Sequence, residues 1–332
     1  MKVVDMHCDT ISAILNEQRK GKNVELRSNN LNVDIEKMRR GDYLLQNFAM
    51  FVNLEKVKYP LEECLSLIDC FYRELEKNKD SLSLVLNYDD IIKNNKEGKM
   101  SALLTIEEGG VTCSSLSNLR ILHRLGVRMI TLTWNYVNEI GYPNVNLSNG
   151  NKPNIRVPNE KDGLTPFGIE FIREMERLNM IIDVSHLSDA GFYDVLKYTK
   201  NPFVASHSNA RGVTNHNRNM SDDMILKLAS RGGVIGINFA GDFLEESDSE
   251  NGVRSKISNM VKHIRYIVDL AGINCIGLGS DFDGIYQDLE LDNAGKMQML
   301  VQALRKDGFS EEDIEKIFYK NVLRVYKEVL KG

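Results

Sequence analysis

The sequence predicts an α/β fold, a (β/α)8 TIM barrel, with a metal site at the C-terminal ends of its strands. Three observations carry this expectation. Eight short apolar runs rich in β-branched residues recur along the 332 residues, and such runs read as buried strands of a parallel sheet. Helical patterns separate most of them, the alternation of parallel α/β folds. Five of the runs end on side chains of metal-binding type, and strand C-termini converge on one pocket when a parallel sheet closes into a barrel.

The run at 2–9 ends on His7 and Asp9, which share one side of an alternating chain while Cys8 points the other way. The run at 43–51 follows, then a helical pattern at 61–77. The run at 102–107 delivers Glu107, with Glu108, Gly109 and Gly110 directly behind it. A carboxylate there can give one oxygen to each of two divalent ions. Glu107 is the choice because it directly ends the run, and Glu108 is the alternative. After the run at 127–133, residues 141–163 are dense in Asn, Pro and Gly, a long loop placed to cover the site.

Thr165 and Pro166 have the form of an N-cap and first helical residue, opening a helix to about Leu178. The runs at 180–186 and 203–207 each deliver a histidine after a serine, His186 and His207, and imidazole suits zinc. Ser188 and Ser221 cap two further helices. The seventh run is 233–239, followed by an acidic, solvated stretch at 242–252. The last run, 275–281, delivers Asp281, which can take a proton from a metal-bound water and return it to a leaving amine; Asp283 is its rival. Ser310 opens a helix near the C-terminus. His123 and His263 fall in helical patterns and default to structural or surface roles, while His216 stays open between roles.

Hydrophobic content of 42% and charged content of 27% are ordinary for a globular protein. The net charge of −5 is dispersed, with no basic patch for nucleic acid or an anionic membrane. No stretch approaches a membrane span and no apolar leader opens the chain. Five cysteines without CxxC spacing fit a reduced, cytoplasmic protein. Cys64 and Cys70 share a helical pattern that holds them too far apart for a disulfide. Without a repeat or composition break, residues 1–332 are expected to form a single domain.

Seven stretches, at 5–10, 106–110, 132–135, 182–186, 206–208, 216–219 and 279–284, together carry a resemblance across essentially the whole chain. In order and spacing they resemble the renal (membrane) dipeptidase family of binuclear zinc peptidases, related to amidohydrolases. The resemblance implies two Zn2+ ions per chain, one held by His7, Asp9 and Glu107, the other by His186, His207 and the shared Glu107. It implies Asp281 as proton shuttle and Arg218 as the residue that grips the substrate's C-terminal carboxylate, a task suited to a planar guanidinium. Without the flanking match, Arg218 reads as a surface arginine. Dipeptides, often with a C-terminal D-residue, are the implied small-molecule substrates, and a homodimer is the implied assembly.

The chain departs from the mammalian branch at Trp134, where relatives carry a histidine that contacts substrate. Asn135 and Tyr136 are candidates to replace that contact, and Trp134 is equally compatible with a core position. The secretory leader and anchoring tail of the mammalian proteins are also lacking, which again leads to a cytoplasmic enzyme. The expectation is a zinc-dependent dipeptidase acting through a hydroxide shared by two metals. The alternatives are a hydrolase of another acyl substrate, an N-acyl amino acid or a lactone, and a non-catalytic metal-binding barrel. The full ligand set speaks against the last of these.

Overall fold

A computed structural model describes residues 1–246, 253–286 and 288–331. Its nine strands, all parallel, are β1 Val3–Asp5, β2 Tyr43–Phe51, β3 Leu82–Leu84, β4 Met100–Glu107, β5 Val127–Thr131, β6 Ile181–Asp183, β7 Val204–Ala205, β8 Val234–Ile237 and β9 Ile276–Leu278. Eight of them close into a barrel in the order β1-β2-β4-β5-β6-β7-β8-β9, with β9 returning to β1 through Asp5 and Leu278. The ninth, β3, pairs with the first residues of β4 alone. It is not among the eight strands the sequence predicts.

Side-chain alternation sorts the strand residues into two apolar clusters. Val4, Leu103, Met129, Ile181, Val204 and Val234 fill the barrel interior, together with Val325 and Tyr326 of the last helix. Their neighbours Leu104, Ile130, Ile182, Ala205 and Ile235 pack outward with the surrounding helices. Glu107 lies four residues beyond Leu103 and Asp183 two beyond Ile181, so both keep the inward phase. The interior is therefore apolar at its base and polar at its C-terminal mouth.

Apart from β2 and β4, the hydrogen-bonded ladders are shorter than the apolar runs. His7, His186, His207 and Asp281 stand two or three residues past the last ladder position of their strands, and only Glu107 ends a strand itself. Close approach at the mouth depends on Gly236 and Gly279, since a Cβ on either would collide with the Ser206 carbonyl, next to His207.

The anticipated helix starts are present. Thr165, Ser188, Ser221 and Ser310 each accept a backbone N–H of the helix that follows, a contact worth about 1 kcal/mol. The helix Pro60–Lys77 holds Cys64 and Cys70, and all five cysteines are free, four of them buried. His263, in Ile257–Ala271, is a core residue whose Nδ1 accepts from Ala210 N at 3.1 Å. The stretch expected as a solvated loop from 242 instead begins within the short helix Gly241–Leu244, and its residues 247–252 lie outside the described residues. Among the described residues no helix is long and apolar enough to cross a membrane.

Candidate metal centre

Three imidazoles converge on one carboxylate at the barrel mouth. Glu107 Oε1 lies 3.0 Å from His186 Nε2 and 3.4 Å from His207 Nε2, and its Oε2 lies 3.4 Å from His7 Nε2. Asp9 Oδ2 stands 3.3 Å from the same His7 nitrogen, and Asp281 Oδ1 3.8 Å. The four ligand candidates around Glu107 and the glutamate itself are all buried.

The protonation of two of these rings follows from their outer partners. His186 Nδ1 stands 2.9 Å from Asn135 Oδ1, which only accepts, so that nitrogen carries the hydrogen. His207 Nδ1 stands 2.7 Å from Ser206 Oγ, whose own hydrogen goes to Asp183 Oδ2 at 2.6 Å. Each neutral ring thus turns a lone pair outward at Nε2, and the two Nε2 atoms face each other at 3.1 Å. Two lone pairs at that distance repel unless a cation lies between or beside them. Both nitrogens of His7 and Oδ1 of Asp9 are buried without a hydrogen-bond partner among the described residues, a cost of about 1–3 kcal/mol for each orphaned atom. Ligation removes it. The donor set, imidazole nitrogens and carboxylate oxygens, fits zinc and similar divalent ions.

Charge interactions support the same fit. Burial pushes Asp9 up to about 7, and the charge of Glu107 adds to it. Burial opposes a charged His7, yet Glu107 and Asp9 outweigh it and raise this imidazole well above its ordinary value. Burial, reinforced by Arg218, lowers His186 to about 3, so that ring stays neutral and ligand-ready. Clustered carboxylates in a dry pocket need positive charge, and divalent ions supply it.

Two buried aspartates inside apolar runs, neither among the expected site residues, fix the ligands. Asp183 accepts from Ser185 N, Ser185 Oγ, Ser206 N, Ser206 Oγ and Thr131 Oγ1, all within 3.1 Å. Burial pushes its carboxyl up, but His207 and the serine bonds hold it below the ordinary value. Asp5 does the corresponding work across the barrel, accepting from His7 N at 3.3 Å and from Ser280 N and Oγ at 2.9 and 2.6 Å. The signal was present, since a charged residue within an apolar strand requires a partner. Replacing Ser206 with alanine is expected to weaken metal affinity about tenfold to a hundredfold by freeing the His207 ring. Competition with a chromophoric chelator measures this, and an unchanged affinity would remove Ser206 from the relay.

The neighbouring carboxylates have other duties. Glu108, in a left-handed conformation at φ 95°, turns away to accept from Gly110 N, Trp134 N and Asn138 Nδ2. Asp283 accepts from Thr10 Oγ1 at 2.5 Å and Asn32 N at 2.7 Å. Among the described residues Asp281 accepts from Asn238 Nδ2 alone, at 2.9 Å, which leaves Oδ1 facing the cluster. Asn238 is not among the expected site residues, although it directly follows β8.

The ligands open into a cavity of about 810 Å³, ample for a small ligand. Trp134 and Phe51 form one wall, their rings 4.9 Å apart, and Asn135 lines the cavity beside them. Tyr136 is buried under the indole, 5.4 Å from it, and does not line the cavity, so it is not positioned for substrate contact. Val145 and Ile155, from the long Asn-rich loop, complete a side of the cavity. Arg218 is 4% exposed, and burial lowers its guanidinium to about 10, which still leaves it charged at neutral pH. It donates to Ser185 O, to His207 O at 3.2 Å and to His186 Nε2 at 3.1 Å, while its Nε has no partner among the described residues. The His186 lone pair it takes is the one a metal would need, so an ion held by His186 would free a guanidinium donor for another acceptor.

A barrel that aims imidazoles and carboxylates from successive strand ends at one point has the design of a metal-dependent hydrolase. The chain belongs to the membrane dipeptidase family (peptidase family M19), whose model matches residues 1–331, and it is accordingly a metallo-dipeptidase by family. An uncharacterised dipeptidase of Schizosaccharomyces pombe is 35% identical over 310 residues, covering 89% of this chain and 71% of that protein. Dipeptidase tcpJ of Claviceps purpurea is 33% identical over 81% of this chain, which spans 60% of that relative's length. In fold, the chain matches a metallopeptidase from Rhodobacter sphaeroides solved with a phosphinate mimic of L-Ala-D-Ala, with a TM-score of 0.89 and 22% identity over 99% of each chain. Dipeptidase AC gives the same TM-score at 23% identity, over 100% of this chain and 99% of that one.

Proposed function

We propose that the protein is a zinc-dependent dipeptidase that holds two ions, one on His7, Asp9 and Glu107 and one on Glu107, His186 and His207. The observation that carries this reading is the convergence of three imidazole Nε2 atoms on the two oxygens of Glu107. When bound, the ions supply Lewis acidity for the scissile carbonyl and a water acidic enough to ionise near neutral pH.

The chain's own residues do the rest. Asp281, its Oδ1 directed at the cluster and its Oδ2 anchored by Asn238, takes the proton of the attacking water and passes it to the departing amine. Arg218 receives the C-terminal carboxylate on the donor it withdraws from His186. Asn135 keeps the His186 ring in its ligating tautomer. Trp134 and Phe51 exclude water on one side and present an apolar face to a substrate side chain. The chain works as a cytoplasmic enzyme in this reading.

The test is hydrolysis of a panel of L-L, L-D and D-L dipeptides by purified protein, with and without added zinc. L-D peptides are included because the Rhodobacter neighbour was solved with a mimic of one. Zinc-dependent cleavage is expected. Protein that carries two zinc ions and cleaves none of the panel, yet opens N-acyl amino acids or lactones, overturns the substrate assignment and leaves the metal centre standing.

A further inference from the structure

We propose that His216 is a second substrate-binding residue, donating a hydrogen bond from Nε2 to the substrate's C-terminal carboxylate beside Arg218. The proposal rests on the dipeptidase reading and adds to it a residue to which the ligand set and the proton shuttle assign no part.

The direction of one hydrogen bond determines the tautomer. The backbone N–H of Arg218 points at His216 Nδ1 at 3.0 Å. An amide N–H can only donate, so Nδ1 accepts and the ring hydrogen of the neutral imidazole sits on Nε2. Nε2 has no hydrogen-bond partner among the described residues. Burial, reinforced by Arg218 and Arg211, lowers the ring to about 3, so it remains neutral in the working range.

The ring is also held in place. It packs against Phe243 at 4.7 Å between centroids, and the Arg218 guanidinium lies over the same phenyl ring at 5.3 Å. His216 is 7% exposed and lines the cavity together with Arg218 and Phe243. The loop that carries it is fixed by Asn217 Nδ2 on Asn144 O at 2.9 Å and Asn219 Nδ2 on Thr214 O at 2.9 Å. Much of the cavity around the metal ligands is lined by acceptors, namely Asp9, Glu107, Asp281 and Asp283. On this side of the cavity a substrate carboxylate finds a charged donor at Arg218 and a neutral one at His216.

Barrel topology agrees with this polarity. In the eight-strand ring, the loop after β7 stands opposite the loop after β2, four positions round. A dipeptide with its carboxylate on Arg218 and His216 crosses the metal ligands and directs its N-terminal residue towards Phe51 and Asn53.

Two substitutions separate donation to substrate from support of the Arg218 backbone. In His216→Asn the side-chain oxygen can replace Nδ1 as acceptor, but the far donor is lost. In His216→Gln an amide N–H reaches the Nε2 position, and the near acceptor is lost. Steady-state kinetics of the zinc-loaded proteins on L-Ala-L-Ala, L-Ala-D-Ala and their C-terminal amides give the readout. His216→Asn is expected to raise KM for the free acids about tenfold with kcat little changed, a charge-assisted hydrogen bond being lost. His216→Gln is expected to keep most of the affinity, and the amides should respond equally in all three proteins. A purely structural role predicts the reverse order, with the Asn variant normal and the Gln variant impaired. That order, or a KM rise shared by the amides, overturns the proposal while the dipeptidase reading survives. A wild-type protein inactive on every dipeptide overturns both.

Discussion

Exchange of Asp281 for asparagine is expected to leave two metals per chain and to lower kcat by about a thousandfold, within the usual span for loss of a general acid–base. The geometry sets both halves of the expectation. Asp281 Oδ1 lies 3.8 Å from His7 Nε2, near the cluster but more distant than Asp9 at 3.3 Å. Its Oδ2 is held by the Asn238 amide, and the asparagine oxygen can keep that bond. The residue also stands in a left-handed conformation, φ 62°, which asparagine tolerates better than most residues. Folding and ligation should therefore persist, and only the proton carrier is removed. Metal analysis after dialysis and single-turnover kinetics make the check. Near-normal turnover removes Asp281 from the mechanism, and loss of one metal makes it a ligand in place of a shuttle.

Asp283 shows why sequence spacing alone left this choice open. Both aspartates follow the last strand at alternate positions, and both have positive φ. They separate only through contacts distant in sequence. Thr10 and Asn32 use both oxygens of Asp283, whereas one oxygen of Asp281 stays open to the cluster. Glu107 and Glu108 pose the same problem, and there the inward phase of β4 decides for Glu107. The barrel and the convergent strand ends were legible because apolar runs and their polar ends are local signals. Ladder length, the added β3 pairing and the concealment of Tyr136 beneath Trp134 depend on which chain segments meet. Asp5 and Asp183 are an intermediate case. Their burial was readable from the apolar residues around them, but their serine partners come partly from the ends of other strands.

Glu107→Gln is expected to abolish activity and reduce bound metal below one ion per chain after dialysis. Three imidazole nitrogens approach the two oxygens of Glu107, so this side chain is the shared element of both proposed sites. A glutamine keeps the volume but offers one neutral oxygen, and its amide N–H2 meets the lone pairs that should bind cations. A second readout is independent of turnover. An ion held at a hundred times its Kd stabilises a fold by about 2.7 kcal/mol, so zinc should raise the Tm of the wild-type protein by several degrees and that of the variant hardly at all. Glu108→Gln supplies the opposite control, because burial raises Glu108 to about 7 and its bonds go to Gly110, Trp134 and Asn138, away from the cluster. A Glu107→Gln protein that retains two ions and the zinc-dependent rise in Tm would mean that the imidazoles and Asp9 hold the metals without a bridge. The converging lone pairs of His186 and His207 would then mark a single histidine-rich site.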